Sequence, residues 1–115
     1  MRLTGKDKLQ KLKSKNKGNI PLSKAVDKLI KDIEAAKWKN KDELKDDRPD
    51  ADQVHPDGFY FFDIKIHRAM VMLEFEEEGE ASVIWAGTHQ EYERIFKNNR
   101  NTIKKYLTDK GLIND

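Results

Sequence analysis

The chain has 115 residues, enough for one domain with a modest core and too few for two independent ones. It has no cysteine, which excludes disulfides, thiolate catalysis and thiolate-bound zinc, and no stretch approaches the roughly 20 apolar residues needed to cross a bilayer. The net charge is +2, but residues 1–48 carry 15 basic and 8 acidic side chains, whereas residues 49–96 carry 3 basic and 11 acidic ones. We expect one soluble domain over residues 1–115, located in the cytoplasm and not attached to a membrane.

The basic N-terminal segment has two interpretations. Its lysines would supply the sequence-independent attraction to phosphate that nucleic-acid binding requires. A solvated, lysine-rich helix face without a partner has the same composition, and charge alone favours this second interpretation. Composition therefore leaves the role of the segment open.

Residues 4–47 are predicted to be helical. A short helix over residues 4–15 ends before Gly18 breaks the pattern. A longer helix begins near Pro21 and ends near Trp38, because apolar residues recur there at three- and four-residue spacing. Its apolar stripe consists of Leu22, Ala25, Val26, Leu29, Ile30, Ile33 and Ala36.

A third, shorter helical turn is predicted after Asn40, which is a suitable N-cap residue. Arg48-Pro49 ends this turn, because the residue before a proline avoids the helical region. The hydrophobic period changes beyond this point.

Residues 52–87 are predicted to form an antiparallel sheet of about four strands, because β-rich segments alternate there with turn residues. Residues 88–113 are predicted to be helical again, with Gly111 as the stop. This order indicates an α+β sandwich with the helices on one face of the sheet, where N-terminal helices pack and a C-terminal helix follows. The strand segments are Val54-His55, Phe59 to Ile64, Met70 to Phe75 and Ala81 to Ala86.

The polar residues near the strand ends suit chemistry on a phosphodiester. Cleavage of RNA through its own 2′-hydroxyl needs a base, an acid and a fixed cation, and His and Arg side chains supply these functions. The chain has no phosphate loop, no zinc-binding histidine pair and no serine-hydrolase elbow. The chemistry is therefore expected to need neither metal nor cofactor, or to be absent. The candidates are His55, Lys65, His67, Arg68, His89, Glu91 and Tyr92.

Each of these residues also has a purely structural interpretation. Arg68 would then only form a salt bridge to Glu74 or Glu93 across the sheet. Lys65 would be a solvated strand residue, and His67 an ordinary exposed histidine beside a tight turn. Residue types alone do not separate these interpretations from the catalytic ones.

The segment from Thr88 to Tyr92 is open to the same question. Thr88 followed three residues later by Glu91 has the form of a capping box, which would only close the start of a helix. Tyr92 would then pack its ring in the core and show its hydroxyl to water. On that interpretation only His89 and Tyr92 still need an explanation.

Several short motifs, taken in order, resemble the HigB family of bacterial toxins, a branch of the RelE-like ribonuclease superfamily. Gly87-Thr88-His89-Gln90-Glu91-Tyr92 matches the family's G-T-H-x-E-Y segment. Phe62-Asp63-Ile64 followed by Arg68 resembles its F-[ND]-I strand and later arginine. Ala36-Lys37-Trp38, Asp42-Glu43-Leu44 and Ala51-Asp52-Gln53-Val54 resemble its N-terminal progression. The resemblance covers roughly residues 22–96.

The resemblance implies a toxin of a type II toxin-antitoxin pair. Such a toxin is an endoribonuclease, an mRNA interferase that cuts mRNA on the translating ribosome by metal-independent attack of the 2′-hydroxyl. It would be held inactive in a hetero-oligomer with a helix-turn-helix antitoxin of the HigA kind. The other functions considered are a catalytically silent RelE-like binding module and a non-toxic RNA-binding domain.

The resemblance also implies roles for particular residues. Arg68 would stabilise the phosphate in the transition state, His89 would act as acid or base, and Tyr92 would stack on or orient a base or donate a proton. Lys65 and His67 would be auxiliary phosphate contacts. The basic helices, with Lys37 and Lys39, would contact RNA.

The sequence departs from the family pattern in three places. Lys65-Ile66-His67 stands where many members have a Gly-Asn turn, so the predicted hairpin is shorter. The acidic residues between Glu74 and Glu80 would repel RNA unless they face away from the site or receive a basic antitoxin. Residues 97–115 extend beyond the family core and are expected to add a helix on the sheet.

Overall fold

In a computed structural model, which describes residues 1–114, five helices cover a five-stranded sheet. The order of strands across the sheet is β1-β5-β4-β3-β2. None of the helices in the described range is long and apolar enough to cross a membrane. The elements along the chain are β1 Arg2–Thr4, α1 Lys6–Lys15, α2 Ile20–Ala35, α3 Lys41–Asp47, β2 Asp52–His55, β3 Phe59–Ile64, β4 His67–Glu74, β5 Glu80–Gly87, α4 His89–Phe96 and α5 Arg100–Asp109.

The predicted α+β fold is confirmed, and the sheet is mixed. Strands β2 to β5 form the expected antiparallel meander. Strand β1 adds a fifth, parallel member, with Leu3 opposite Ala81 of β5. Sequence analysis did not predict this strand, because three residues are too few to show an alternating pattern. The first helix accordingly begins at Lys6, after the strand.

The expectation that helices cover one face of the sheet is wrong, because β3 is buried on both faces. Phe59 and Phe61 pack in the cluster that contains α4 and α5. Tyr60, Phe62 and Ile64 point the opposite way, into the cluster that contains α1, α2 and α3. A strand that is apolar on both faces needs a covering layer on each. Helix α5 and the residues after it supply part of the second layer, through Ile103, Leu107 and Ile113.

Side-chain caps fix the helix boundaries. Asn19 accepts the backbone N–H of Leu22 at 3.1 Å and starts α2, and Asn40 accepts that of Glu43 at 2.9 Å and starts α3, as predicted. Helix α2 ends at Ala35, earlier than expected. Trp38 lies beyond it, where its indole is buried.

Arg48 ties the helical layer to the end of β3. Its side chain is only 11% exposed and forms ion pairs with Asp32 of α2 at 3.1 Å and Asp50 at 2.8 Å. It also donates to the carbonyl oxygen of Asp63 at 3.1 Å, while Asp50 accepts the backbone N–H of Asp63 at 2.9 Å. Both backbone polar groups of Asp63, near the end of β3, are therefore hydrogen-bonded to side chains.

Gly5 offers a test of how β1 is joined to α1. It has a φ of +79°, and a β-carbon there would lie 2.6 Å from the carbonyl oxygen of Val83. We expect Gly5→Ala to lower the free energy of unfolding by about 2 kcal/mol, from left-handed strain and overpacking. Gly18→Ala is the matched control, because nothing lies within 4 Å of a β-carbon at that position. Urea denaturation of both variants measures the difference, and equal stabilities would contradict the expectation.

Candidate active site

A cavity of about 300 Å³ opens where the turn between β3 and β4 meets the start of α4. Arg68 is opposite Gly87 in the pairing of β4 with β5, and α4 begins two residues after Gly87. The strand end and the helix start are therefore neighbours. The cavity brings together Arg68, His89, Tyr92 and Lys65, which sequence analysis had placed in the site, with Asp63, Ile66, Glu93 and Asn98.

Arg68 is held in place while part of its guanidinium stays accessible. Its Nε lies 3.5 Å from a carboxylate oxygen of Asp63, and its Nη1 donates to the Tyr92 hydroxyl at 3.3 Å. The guanidinium carbon lies 4.8 Å from the centroid of the Tyr92 ring. The side chain is 29% exposed, and within residues 1–114 its Nη2 has no hydrogen-bond partner.

The ion-pair partner of Arg68 is Asp63, and not Glu74 or Glu93 as the structural interpretation supposed. Asp63 is directly opposite Arg68 in the pairing of β3 with β4. Glu74 lies at the other end of β4, roughly 20 Å away at 3.3 Å per residue. Glu93 lines the cavity without forming an ion pair with Arg68.

Tyr92 combines a core role with a place in the site. Its ring is 4% exposed and packs edge-on against Phe61 at 5.1 Å. Its hydroxyl accepts from Arg68 and donates to Asn98 at 3.0 Å. Burial raises the pKa of Tyr92, with Arg68 opposing the shift, so the hydroxyl remains protonated at neutral pH. The ring is enclosed by Phe61 and Arg68 and has no free face for stacking on a base.

The predicted capping box at the start of α4 is present. Thr88 accepts the backbone N–H of Glu91 at 3.2 Å, and Glu91 accepts that of Thr88 at 2.9 Å. His89 is the first residue of the helix and is exposed on the cavity. The capping-box interpretation and the presence of His89 in the site are therefore compatible.

His67 is buried, with 9% exposure, and does not line the cavity. Its Nδ1 accepts the backbone N–H of His89 at 2.8 Å, so a neutral ring carries its proton on Nε2. Burial lowers the pKa of His67, and the neighbouring His89 lowers it further, while Glu91 opposes the shift. His67 thus links the first residue of β4 to the first residue of α4. This contact positions His89, whereas the resemblance implied a phosphate contact.

Lys65 and Ile66 form the two-residue turn between β3 and β4, since Ile64 pairs with His67. The hairpin is short, as the sequence predicted. Lys65 has a φ of +59°, which a residue other than glycine adopts at a cost. Its side chain is exposed at the cavity, beside Ile66, which is 70% exposed.

Lys37 and Lys39 do not belong to this cavity. They line a separate depression with the turn that joins β4 to β5, which contains Glu76, Glu77 and Glu78. That turn follows the end of β4 opposite to Arg68. The acidic turn therefore also faces away from the candidate site.

Asn98 is the site residue that sequence analysis missed. It accepts the Tyr92 hydroxyl and has a φ of +47°, following Lys97 at +53°. An Asn after an amphipathic helix is a signal for this left-handed end, because Asn tolerates such a conformation better than most residues. Within residues 1–114, no group of three His, Asp or Glu side chains is arranged to hold a metal ion.

Comparison with known proteins identifies the class. A family described as HigB_toxin, RelE-like toxic component of a toxin-antitoxin system, matches residues 22–95. No curated protein matches the chain. The α+β structure with its C-terminal helix is consistent with a RelE-like fold, and the match places the chain among the toxic components of toxin-antitoxin systems.

The chain belongs to the HigB toxin family. The resemblance seen in the sequence is thereby confirmed, and an antitoxin partner is implied. Residues 1–21 and 96–115 lie outside the matched segment.

The contact between His67 and His89 predicts a pH dependence. The pKa of His67 is lowered from 6.5, so as the pH falls through that value the unfolded chain binds a proton that the folded chain does not. The contribution of His67 to stability is therefore lost as the pH falls below about 7. His67→Asn keeps an acceptor for the His89 N–H and removes the titration. Urea denaturation from neutral to mildly acidic pH should give a shallower loss of stability for the variant, and equal slopes would contradict this assignment.

Proposed function

We propose that this toxin is a metal-independent endoribonuclease, an mRNA interferase that cuts mRNA on the translating ribosome. The observation that carries the proposal is the joint presence of Arg68, His89 and the Tyr92 hydroxyl at one open cavity. These side chains are a cation, an imidazole and a neutral hydroxyl. The cation and the imidazole supply functions that cleavage through the RNA 2′-hydroxyl requires, and the hydroxyl orients the cation.

Arg68 is proposed to bind the scissile phosphate. The N–H groups of Thr88, His89 and Glu91 at the start of α4 already have side-chain acceptors. Three backbone donors of the helix start are thus occupied, and we assign the stabilisation of charge on the phosphoryl oxygens to side chains. The accessible edge of the Arg68 guanidinium fits a phosphate, with exposed Lys65 as a second cation.

In the proposed reaction the 2′-oxygen forms a bond to phosphorus and the bond to the leaving 5′-oxygen breaks. The products are a 2′,3′-cyclic phosphate and a 5′-hydroxyl. His89 exchanges one of the two protons that move, as base towards the 2′-hydroxyl or as acid towards the 5′-oxygen, and solvent water at the open cavity exchanges the other. The Tyr92 hydroxyl is fixed by Asn98 and orients Arg68. The Tyr92 ring is too buried to stack on a base.

On the family resemblance, Lys37 and Lys39 are proposed to contact RNA away from the scissile phosphate. The glutamates of the acidic turn line the same depression and weaken the attraction of these lysines for phosphate. Their depression lies at the opposite end of β4, so contact with both regions requires a large partner such as the ribosome. The antitoxin is proposed to be a HigA-like helix-turn-helix protein in a cytoplasmic hetero-oligomer with the toxin. The family resemblance supports both partners, and a helix-turn-helix reading frame next to the toxin gene would be the first check.

The test is mRNA cleavage on translating ribosomes, scored together with growth arrest on expression in bacteria. Arg68→Ala is expected to lower the cleavage rate about 10²- to 10³-fold, the usual loss for a donor to developing negative charge. Arg68→Lys keeps the charge but loses the two parallel N–H donors of the guanidinium, and its cleavage rate is expected to be intermediate. His89→Ala is expected to lower the rate by about 10²-fold or more.

His55→Ala is the matched histidine control, because His55 lines a different depression, with Arg100. It should cleave like the wild type. Absence of both cleavage and growth arrest in the wild type would exclude the enzyme. Growth arrest without cleavage, unaffected by Arg68→Ala, would favour a silent binding module. An active His89→Ala variant would refute the site assignment.

A further inference from the structure

A larger cavity, of about 500 Å³, lies along one edge of the sheet. We call it the edge groove. It lies between α1, β5 and α5, and its main lining residues are Lys8, Lys11 and Lys15, the segment Val83 to Ala86, Tyr106 and Lys110. Except for β5, these elements lie outside the segment that matches the toxin family.

The floor of the edge groove is an unpaired strand edge. Strand β1 pairs with the first part of β5 only, up to Thr4 opposite Ser82. The chain then leaves the sheet at Gly5, which packs against the Val83 carbonyl oxygen. Within residues 1–114 no strand pairs with residues 83–87 on this side. Gly5 covers Val83, and a β-bulge lies at Ile84, so the outward N–H and C=O groups of residues 84–87 are the ones that can receive another strand.

The lining residues show that the groove follows this edge. Val83, Ile84, Trp85 and Ala86 are consecutive, and all four line it. Because of a β-bulge at Ile84, Val83 and Ala86 contact the cluster that contains α1, whereas Ile84 and Trp85 contact the cluster that contains α5, so the groove is lined from both faces of the sheet. The groove also has α1 on one wall and α5 on the other, and these helices cover opposite faces of the sheet. An occupant would therefore lie in line with the sheet.

The walls of the groove are strongly basic. Lys8, Lys11 and Lys15 recur at three- and four-residue spacing and form one stripe of α1. In the described part of the chain none of the three forms an ion pair. Lys6 and Lys13, on the same helix, are paired at 3.0 Å and 2.7 Å with Glu34 and Asp27 of α2.

Lys110 adds a fourth ammonium group on the opposite wall, where it lies 5.5 Å from the centroid of the Tyr106 ring. The acidic lining residue, Glu91, is engaged in the capping box of α4, and its pKa is lowered by the backbone of Thr88 and also by Lys15. Apolar surface lies between the cations, at the half-buried Trp85 and Tyr106 and at Leu112, which is 38% exposed. The groove therefore offers positive charge and apolar contacts along a backbone edge.

We propose that the edge groove binds an extended, acidic segment of a partner protein, which adds a strand alongside β5. Its backbone would pair with the free edge of residues 84–87, its acidic side chains would meet the lysines, and its apolar side chains would meet Trp85 and Tyr106. The unpaired edge favours a peptide over RNA, because RNA has no regular row of N–H and C=O groups to match it. The proposal does not depend on whether the protein cuts RNA.

The first test measures binding of a fluorescent peptide of alternating glutamate and leucine to the full chain by anisotropy. Saturable binding is expected. The double variant Lys8→Glu and Lys11→Glu should weaken it by about tenfold or more, because close charge pairs are lost. The double variant Lys24→Glu and Lys31→Glu is the matched control, since it changes the net charge equally on exposed positions of α2 outside the groove. Equal losses in the two double variants, or no binding by the wild type, would overturn the proposal.

The second test addresses strand addition. Two versions of the peptide carry backbone N-methyl groups at alternate residues, in complementary registers. A strand that joins a sheet edge turns every second N–H towards it, so one register should lose binding and the other should retain it. Equal effects in the two registers would exclude strand addition.

The third test separates the peptide from nucleic acid. Amide NMR shifts should change at residues 83–86, in α1 and around Tyr106 when the peptide binds. A single-stranded oligouridine should compete weakly. Oligouridine that binds the groove through Lys8 and Lys11 more tightly than the peptide does would show that the site recognises RNA and would refute the proposal.

Discussion

The ring of Phe61 is the contact on which the geometry of the candidate site depends. It is completely buried and lies 5.1 Å from the Tyr92 ring and 5.3 Å from the Phe96 ring, and the Arg68 guanidinium carbon is 5.7 Å from its centroid. Phe61 thus holds a strand residue and a helix residue of the site against one rigid surface. Aromatic pairs in edge-on geometry add to the stabilisation that burial alone gives.

Polar contacts fix the site residues further, in addition to the aromatic cluster around Phe61. Arg48 fixes the backbone of Asp63, and Asp63 in turn pairs with Arg68. His67 fixes the first residue of α4. Arg68 and His89 are thereby supported by the buried Tyr92 and His67, as groups that must act without rearranging require. The support comes from both faces of the sheet, because Arg48 packs over Phe62 and Arg68 over Phe61.

Much of the fold follows from local patterns in the sequence. The apolar stripe of α2, the Asn40 cap and the aromatic, β-rich composition of β3 are local signals, and they predicted their elements. Strand β1 depends on a partner far along the chain and leaves no local pattern. Arg68, His89 and Tyr92 were identified through motif order, while the part played by Asn98 depends on a left-handed turn and a hydroxyl contact that periodicity does not reveal. The burial of His67 was missed because the strand begins there, three residues before the predicted start.

The pairing of β1 with β5 joins Arg2 to Glu80 and has a consequence for synthesis. Contacts between such distant residues close late in folding. On a translating ribosome, the basic N-terminal helices emerge well before the strand that completes their layer, and α4 emerges later still. Arg68, His89 and Tyr92 all lie in the second half of the chain, so the candidate site cannot assemble until most of these 115 residues have been made.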